Sequence, residues 1–484
     1  MGCGGSNTKT NTIKSLDSYE KDNNITKNAS ISQLDNNSPE SSINTEEDDQ
    51  VLLEPIIQHE TNITIKNNIT KRAVNIYIHG YNKKGAEQTD TYGKSESDTV
   101  LRSIAETTGY STIENHNKED KADIIAMTDY YGKIPPSYYT TKDIQEVNAI
   151  QKGIPRYALI VAKYARYILQ ETGADSVNLV SASMGTLVSR YLIEKDLEKL
   201  SSEKKIKKWL SFEGVIMGNI AASKRNLVRL LNTVVKQPIE VEQMNYDWIN
   251  NNLSFTSPYY KDIQIGFESS TKDNLNNKLL TSILLLENKF EANDGVQAVR
   301  DTFFETTATH TFFHETHTSI SDNKAVWGFA ATFLTSKKQV SITLLEATVD
   351  DLHEDSTLLS KRAEIVFQSS VHSQKAEQKW NFTEAIDERM YDGSYLKLYK
   401  YSEEGENKIL NQVLFDSFVL ENETELLLSV TPYEIDREVK YGIFEILGNT
   451  HESLGQGSIT IPMQSGVYNI SGTDWSGKVK VEIK

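Results

Sequence analysis

The sequence has 484 residues, of which 38% are hydrophobic and 25% charged, a composition typical of a globular protein with more than one domain. Its 51 basic and 68 acidic residues give a formal net charge of −17, so nucleic acids are not expected as partners. No apolar run approaches the ~18 residues of a membrane-spanning helix. The single cysteine, Cys3, excludes an internal disulfide and a cysteine-based zinc site.

Residues 1–60 have the composition of a disordered acidic tether. They contain eight Asn, eight Ser and five Thr, no Phe or Trp, and eleven acidic against four basic residues. So few apolar side chains cannot offset the conformational entropy that an ordered chain would lose. We therefore expect this segment to stay outside any folded core.

The first six residues, Met1-Gly2-Cys3-Gly4-Gly5-Ser6, allow two kinds of lipid attachment. In a lipoprotein of the cell envelope, Cys3 would carry the lipid after removal of a signal peptide that the sequence does not contain. In the alternative, Gly2 with Ser6 fits the N-myristoylation pattern, and a palmitoylated Cys3 would complete an anchor on the cytoplasmic face. We favour the lipoprotein, because a long polar tether suits a protein held off a membrane surface, over the second anchor and over an unmodified start.

Strands alternate with helices from residue 71 to residue 336. Strands are predicted at 73–78, 122–127, 177–180, 209–215 and 280–286, and helices at 155–171, 184–200 and 324–334. Such alternation is typical of a mainly parallel sheet with helices on both faces. We assign residues 61–336 to one α/β domain.

Short strands without intervening helices follow from residue 337 to residue 484. They are predicted at 340–348, 363–369, 396–401, 413–420, 425–430, 442–447, 458–462, 467–471 and 479–483. Strands this closely spaced indicate an antiparallel β-sandwich, here an accessory domain that begins at 336–339.

A candidate nucleophile lies between a predicted strand and a predicted helix, in Ser181-Ala182-Ser183-Met184-Gly185. A nucleophile elbow needs this strand, turn and helix, and it needs small neighbours because the two backbones approach closely. Ser183 stands at the tip of the turn. Ser181 replaces the first glycine of the usual Gly-x-Ser-x-Gly pattern, so a simple serine-rich turn is the alternative interpretation.

Residues 175–192 resemble the elbow region of bacterial triacylglycerol lipases and related esterases of the α/β-hydrolase fold. Residues 76–81 resemble the early strand and oxyanion loop of the same family, and the resemblance covers about residues 71–336. It implies that the backbone N–H groups of Tyr81 and Met184 form an oxyanion hole. For His79 we favour a structural role, in which the imidazole ties the loop to the sheet.

The acid of such a triad follows the serine along the chain and precedes the histidine. The run Asn293-Asp294-Gly295-Val296 resembles the acid loop of those lipases, which implies that Asp294 orients the histidine. Glu291 and Asp301 are the alternatives.

Three histidines, His310, His314 and His317, precede the last predicted helix of the α/β domain. The resemblance places the catalytic base at His317, with His314 as the second candidate. The spacing does not fit His-Glu-x-x-His, because Thr311 follows His310 and because His314 and His317 are one residue too close, so no metal or other cofactor is predicted. We expect His310 and His314 to be solvated or to line the pocket rim.

Together these residues predict a serine carboxylic-ester hydrolase of the lipase or esterase type, acting on an acyl ester or lipid through an acyl-enzyme. A phospholipase, thioesterase or acyltransferase would use the same triad. The apolar segment 221–273 is predicted to be a lid, or else an extra helical layer. The rival prediction, motivated by Ser181, is a surface binding lipoprotein with an inactive hydrolase domain and a ligand-binding sandwich.

Overall fold

The computed structural model describes residues 73–81, 91–93, 111–112, 124–223, 239–272, 292–304, 309–352, 363–373, 378–381, 398–436 and 450–484. All of them belong to one compact unit, Leu53–Lys484. The predicted tether with Cys3, the predicted strands at 280–286 and 442–447, and Glu291 lie outside the described residues.

Within these ranges, no helix has both the length and the apolar character that crossing a membrane requires.

The central sheet of the described residues has seven parallel strands in the order β2-β3-β1-β4-β5-β6-β7. The strands are β1 (Ala73–Ile78), β2 (Ser111–Thr112), β3 (Ile124–Met127), β4 (Ser176–Ala182), β5 (Ile206–Phe212), β6 (Gln264–Ser270) and β7 (Thr309–Phe313). The first strand lies inside the sheet, and later strands are added on both sides of it. All carboxyl ends therefore meet at one edge.

Helices connect the strands. Within the described ranges they are α1 (Thr141–Ala149), α2 (Ile154–Thr172), α3 (Met184–Glu194), α4 (Ile220–Ser223), α5 (Ile239–Gln243), α6 (Tyr246–Asn252) and α7 (Lys324–Thr335), with short 3₁₀ turns at Leu197–Lys199, Tyr260–Asp262, Val299–Asp301 and Ser319–Asp322. The longest helix, α2, has Pro155 in its first turn and ends at Gly173, which adopts a left-handed φ of 66°.

Two antiparallel sheets form the C-terminal part. One contains β9 (Ala363–Ser373), β10 (Gln378–Asn381), β11 (Leu398–Tyr401), β13 (Glu425–Asp436), β14 (Thr450–Ser453) and β15 (Gly457–Pro462), and the other contains β8 (Gln339–Val349), β12 (Glu406–Phe418), β16 (Gly466–Ser471) and β17 (Trp475–Ile483). Buried rings join the two sheets: the centroids of Phe367 on β9 and Trp475 on β17 lie 5.9 Å apart.

Helix α7 links the α/β part to the C-terminal sheets. Its Phe333 packs edge-on against Phe418 of β12, with 5.6 Å between ring centroids. Lys208 of β5 lies with its Nζ atom 3.6 Å from the centroid of the Phe418 ring and donates a hydrogen bond of 2.8 Å to the carbonyl of Ser336. Buried apolar side chains on both sides of the junction thus form one continuous core.

The predicted fold class is confirmed: an α/β-hydrolase fold with a parallel sheet precedes antiparallel β-sheets. The extent of several elements was wrong. The strand predicted at 209–215 ends at Phe212, because Glu213 takes a positive φ of 47°. The helix predicted to reach residue 200 ends at Glu194, since Asp196 is left-handed.

The predicted insertion 221–273 is also corrected. Its last part is β6, which pairs in parallel with β5 and β7 inside the sheet. Only Ile265 and Phe267 are large apolar residues in this strand, and the buried Glu268, Ser269 and Ser270 hide its core position from a hydrophobicity pattern. The role of the preceding residues as a lid remains a prediction.

Candidate active site

Ser183 lies in a tight turn between β4 and α3. Its backbone is strained, with φ 51° and ψ −124°, and its N–H donates a 2.9 Å hydrogen bond to the carbonyl of Phe212. The turn needs Gly185, because a Cβ atom there would overlap the carbonyl oxygens of Ile78 and His79 at the end of β1. The close approach of α3 to β1 therefore fixes the direction of Ser183.

Ser181 takes the place of the first glycine of the elbow without disturbing it. Its side chain is fully buried, and its Oγ accepts a hydrogen bond of 2.8 Å from the indole Nε1 of Trp209. The same hydroxyl donates to the carbonyl of Leu210 at 3.3 Å. The Ser181 hydroxyl is therefore hydrogen-bonded within the sheet, whereas the Ser183 hydroxyl faces His317.

The structure brings Ser183, His317 and Asp294 together in one chain of hydrogen bonds. The Nε2 atom of His317 lies 2.9 Å from the Oγ atom of Ser183, and its Nδ1 atom lies 2.7 Å from the Oδ2 atom of Asp294. The backbone N–H of His317 also donates to the carbonyl of Asp294 at 3.0 Å. Both ring nitrogens and the backbone of His317 are therefore held in place.

Backbone N–H groups of the next residues along the chain orient Asp294. The Oδ1 atom accepts hydrogen bonds from the backbone N–H groups of Val296, at 2.8 Å, and Gln297, at 2.7 Å. Because Oδ1 is used in this way, Oδ2 is the oxygen that faces His317. The carboxyl group is 1% exposed, so it is shielded from water.

The neighbouring carboxyl groups favour a charged His317. Burial alone would lower the pKa of this imidazole, but Asp294 and Glu213 outweigh burial and raise it to about 9. When a histidine takes the proton of a serine hydroxyl, it becomes an imidazolium, and a neighbouring carboxyl group stabilises this charged form.

Glu213 is a site residue that the sequence analysis missed. It follows β5, is 3% exposed, and places its Oε2 atom 3.5 Å from the Nδ1 atom of His317. Burial raises the pKa of Glu213 well above its ordinary value; His317 opposes this effect and Asp294 adds to it. An acidic residue inside a run predicted as a buried strand was the one available signal.

The predicted oxyanion loop, His79-Gly80-Tyr81, lies against the serine. A Cβ atom at Gly80 would be 3.0 Å from the Cβ atom of Ser183. The His79 ring stacks on Tyr130 at 4.1 Å, and the Tyr130 hydroxyl donates to the carbonyl of His79 at 2.6 Å. These contacts tie the loop to the residues after β3, and the structural role of the His79 imidazole remains a prediction.

Met184 and Tyr81, the predicted donors to an oxyanion, flank this contact. Met184 is buried and is the first residue of α3, where an N–H group has no acceptor within its own helix. Tyr81 directly follows Gly80, and its side chain is 39% exposed. Their function as donors remains a prediction.

The other two histidines lie apart from this hydrogen-bonded chain. His310 is in β7, not in a loop: its Nε2 atom is 2.7 Å from the Oγ atom of Ser269, and its ring centroid is 4.2 Å from that of Phe312. Burial lowers the pKa of His310 to about 3, and the half-buried position in a strand replaces the expected position in a loop. His314 is exposed, as expected, and its Nδ1 atom lies 3.2 Å from the Oγ1 atom of Thr271.

Asp301, an alternative acid, bonds elsewhere. Its Oδ2 atom accepts a hydrogen bond of 2.6 Å from the hydroxyl of Tyr246 in α6. Its carbonyl accepts from the N–H groups of Ile216 and Met217. Asp301 therefore joins α6 to the segment after β5.

Glu213, Asp294 and His317 have ligand atoms within 4.8 Å of one another, a spacing that a metal ion could bridge. Both nitrogens of His317 already face Ser183 and Asp294, however. A metal at Nδ1 would have to displace the hydrogen bond to Asp294. The three groups fit an acid and base pair with a second carboxyl better than a metal centre.

No protein-family model matches this sequence, and no curated protein matches it. Among solved structures, the chain is similar to the Bacillus licheniformis lipase BlEst2 in its mature form, with 14% identity and a TM-score of 0.36 over 53% of this chain and 89% of that chain. The propeptide form of BlEst2 gives 11% identity and a TM-score of 0.39 over 82% and 97%. The metagenomic carboxyl esterase MGS0156 gives 12% identity and a TM-score of 0.33 over 52% and 67%.

Proposed function

We propose that this protein is a serine carboxylic-ester hydrolase with Ser183 as nucleophile, His317 as general base and Asp294 as the acid that orients it. The observation that carries the proposal is the pair of hydrogen bonds at His317, of 2.9 Å to Ser183 and 2.7 Å to Asp294. A hydroxyl group becomes a competent nucleophile when a fixed imidazole can take its proton.

The reaction proceeds through an acyl-enzyme. As Oγ of Ser183 attacks the ester carbon, Nε2 of His317 takes the hydroxyl proton, and the carbonyl oxygen becomes an oxyanion that the N–H groups of Met184 and Tyr81 stabilise. His317 then gives the proton to the leaving alcohol as the ester bond breaks. Water repeats the sequence on the acyl-enzyme, releasing the carboxylic acid and restoring Ser183.

The substrate class that we propose is an acyl ester, soluble or part of a lipid. The exposed ring of Tyr81, the residue after Gly80, offers an aromatic surface to an acyl group. Helix α5, from the predicted lid segment, packs against the start of α2, where Gln243 accepts a hydrogen bond of 2.6 Å from the N–H of Ile154. A screen of acyl-chain lengths and head groups would separate a lipase or esterase from a phospholipase, thioesterase or acyltransferase.

The decisive experiment compares two serines of the same turn. Ser183→Ala should abolish labelling by a fluorophosphonate probe and the hydrolysis of p-nitrophenyl esters. Ser181→Ala is the matched control, since it removes a buried hydroxyl that bonds to Trp209 and leaves the nucleophile in place. The control should keep most of the activity.

Full activity in Ser183→Ala would reject the proposal. Failure of the wild-type protein to react with the probe would instead favour a binding protein with an inactive hydrolase domain, in which the C-terminal sheets bind the ligand.

A further inference from the structure

Two carboxyl groups face the same nitrogen of His317. Asp294 lies 2.7 Å from Nδ1 and Glu213 lies 3.5 Å from it. They come from different segments, Glu213 from the end of β5 and Asp294 from the described segment 292–304. A triad uses one acid, so the second carboxyl group calls for an explanation.

The backbone holds Glu213 in this position. Its φ of 47° turns the chain out of β5, and its N–H donates a 2.9 Å hydrogen bond to the carbonyl of Glu268 in β6. The side chain is 3% exposed, and no hydrogen-bond partner of its Oε1 atom is present within the described residues. Burial of a carboxylate costs free energy when one of its oxygens has no hydrogen bond, unless the group is neutral or has a function that requires this arrangement.

The surroundings of Glu213 favour the neutral form while Asp294 is charged. Burial raises the pKa of Glu213 well above its ordinary value; the positive charge of His317 lowers it, and the negative charge of Asp294 raises it further. The hydroxyl of Ser270 and the carboxyl of Glu315 also face it, the first lowering and the second raising the pKa. Glu268, fully buried on β6, is a further titratable neighbour, and burial, with Glu213 adding to the effect, raises its pKa well above the ordinary value as well.

We propose that Glu213 is a positioning residue for His317, a second carboxyl group that takes over the hydrogen bond to Nδ1 when the charge of Asp294 is lost. The inference rests on the proposed function of Ser183 and His317. Removing the charge of Asp294 removes one cause of the raised pKa of Glu213, so this group ionises more readily. Its oxygen then needs to move from 3.5 Å to about 2.8 Å to accept the Nδ1 proton.

The first experiment compares three variants: Asp294→Asn, the double variant Asp294→Asn/Glu213→Gln, and the control Asp294→Asn/Asp301→Asn. We expect Asp294→Asn to keep activity that increases as Glu213 ionises, and the Glu213→Gln double variant to fall about tenfold or more below it. The control removes another buried carboxyl, bonded to Tyr246, and should keep the activity of Asp294→Asn. Equal pH profiles for Asp294→Asn and its Glu213→Gln double variant would overturn the proposal.

The second experiment does not depend on activity. In the Asp294→Asn background, the pKa of the His317 imidazole, followed by NMR in the full chain, should fall by about one unit when Glu213→Gln is added. An unchanged value would overturn the proposal, even in a protein that hydrolyses no ester. Thermal melting of each variant verifies that it is folded, and Glu213→Met replaces Glu213→Gln if the amide is not tolerated in the buried site.

Discussion

The Nε2 atom of His317 lies 2.9 Å from the Oγ atom of Ser183, although 134 residues separate them along the chain. The serine follows β4 and the histidine follows β7, and β5 and β6 lie between these strands in the sheet. Loops at the carboxyl ends of parallel strands lie at the same edge of the sheet, so the strand order brings Ser183 and His317 close together. The contact therefore depends on the arrangement of the four strands β4 to β7, and no local sequence pattern specifies it.

The first prediction concerns the base. His317→Ala should lower kcat for p-nitrophenyl esters by about four orders of magnitude or more, because the group that faces the Ser183 hydroxyl is lost. His314→Ala is the matched control, as its imidazole is exposed and bonds to Thr271. Steady-state kinetics of both variants is the measurement, and a larger loss in His314→Ala would move the base to His314.

The second prediction is a pH profile. The base accepts a proton only when its imidazole is neutral, and the pKa of His317 is raised from 6.5 to about 9. The value of kcat/KM should therefore rise with pH up to about 9, after subtraction of spontaneous ester hydrolysis. A plateau already reached near pH 7 would show that Asp294 and Glu213 do not raise the pKa in this way.

Stability should have the opposite pH dependence. A histidine whose folded pKa lies above its unfolded value contributes stability that is complete below about 6.5 and is lost as the pH rises through about 9. Glu213 acts in the same direction, because the folded state retains its proton to a higher pH than the unfolded state. Melting temperatures should fall between these pH values, and the fall should be smaller in His317→Ala.

The fourth prediction compares two glycines. Gly185→Ala should lower the free energy of unfolding by about 2 to 3 kcal/mol and reduce kcat, because the new methyl group overlaps the end of β1 and must displace α3 with Ser183. Gly173→Ala is the control: it has a left-handed φ of 66° but open space around it, so about 1 kcal/mol and no change in kcat are expected. Denaturant unfolding and kinetics measure both, and equal effects would rule out the steric argument.

The sequence predicted the fold class and named three residues that the structure brings together. Ser183, Asp294 and His317 belong to short segments with strong local signals: a small-residue turn after a strand, an Asn-Asp-Gly loop, and a histidine before a helix. Their catalytic roles remain proposals. Sheet strands with weak apolar alternation were missed, namely β6 and β7, because polar side chains in them are buried by their neighbours.

Glu213 could not have been found in the same way. Its position depends on one left-handed residue at the end of β5 and on a hydrogen bond to β6, a strand that the sequence did not reveal. A one-residue change in where β5 ends decides whether this side chain points along the sheet or toward His317. Hydrophobicity patterns do not define element ends that sharply.

The last prediction is that residues 1–60 anchor the protein and take no part in folding or catalysis. Their polar composition lacks the apolar content to join a core, and a coil of the length of residues 4–60 would have a reach on the order of 40 Å, enough to hold the folded unit clear of a lipid surface. Deleting residues 1–60 should leave the melting temperature and the hydrolysis of soluble esters unchanged, whereas Cys3→Ser should release the full chain from membranes in the native host. Gly4→Ser is the control that retains the cysteine. Marked destabilisation of the truncated protein would mean that the segment packs on the folded unit. A Cys3→Ser protein that stays on membranes would mean that the predicted lid or the C-terminal sheets attach the protein.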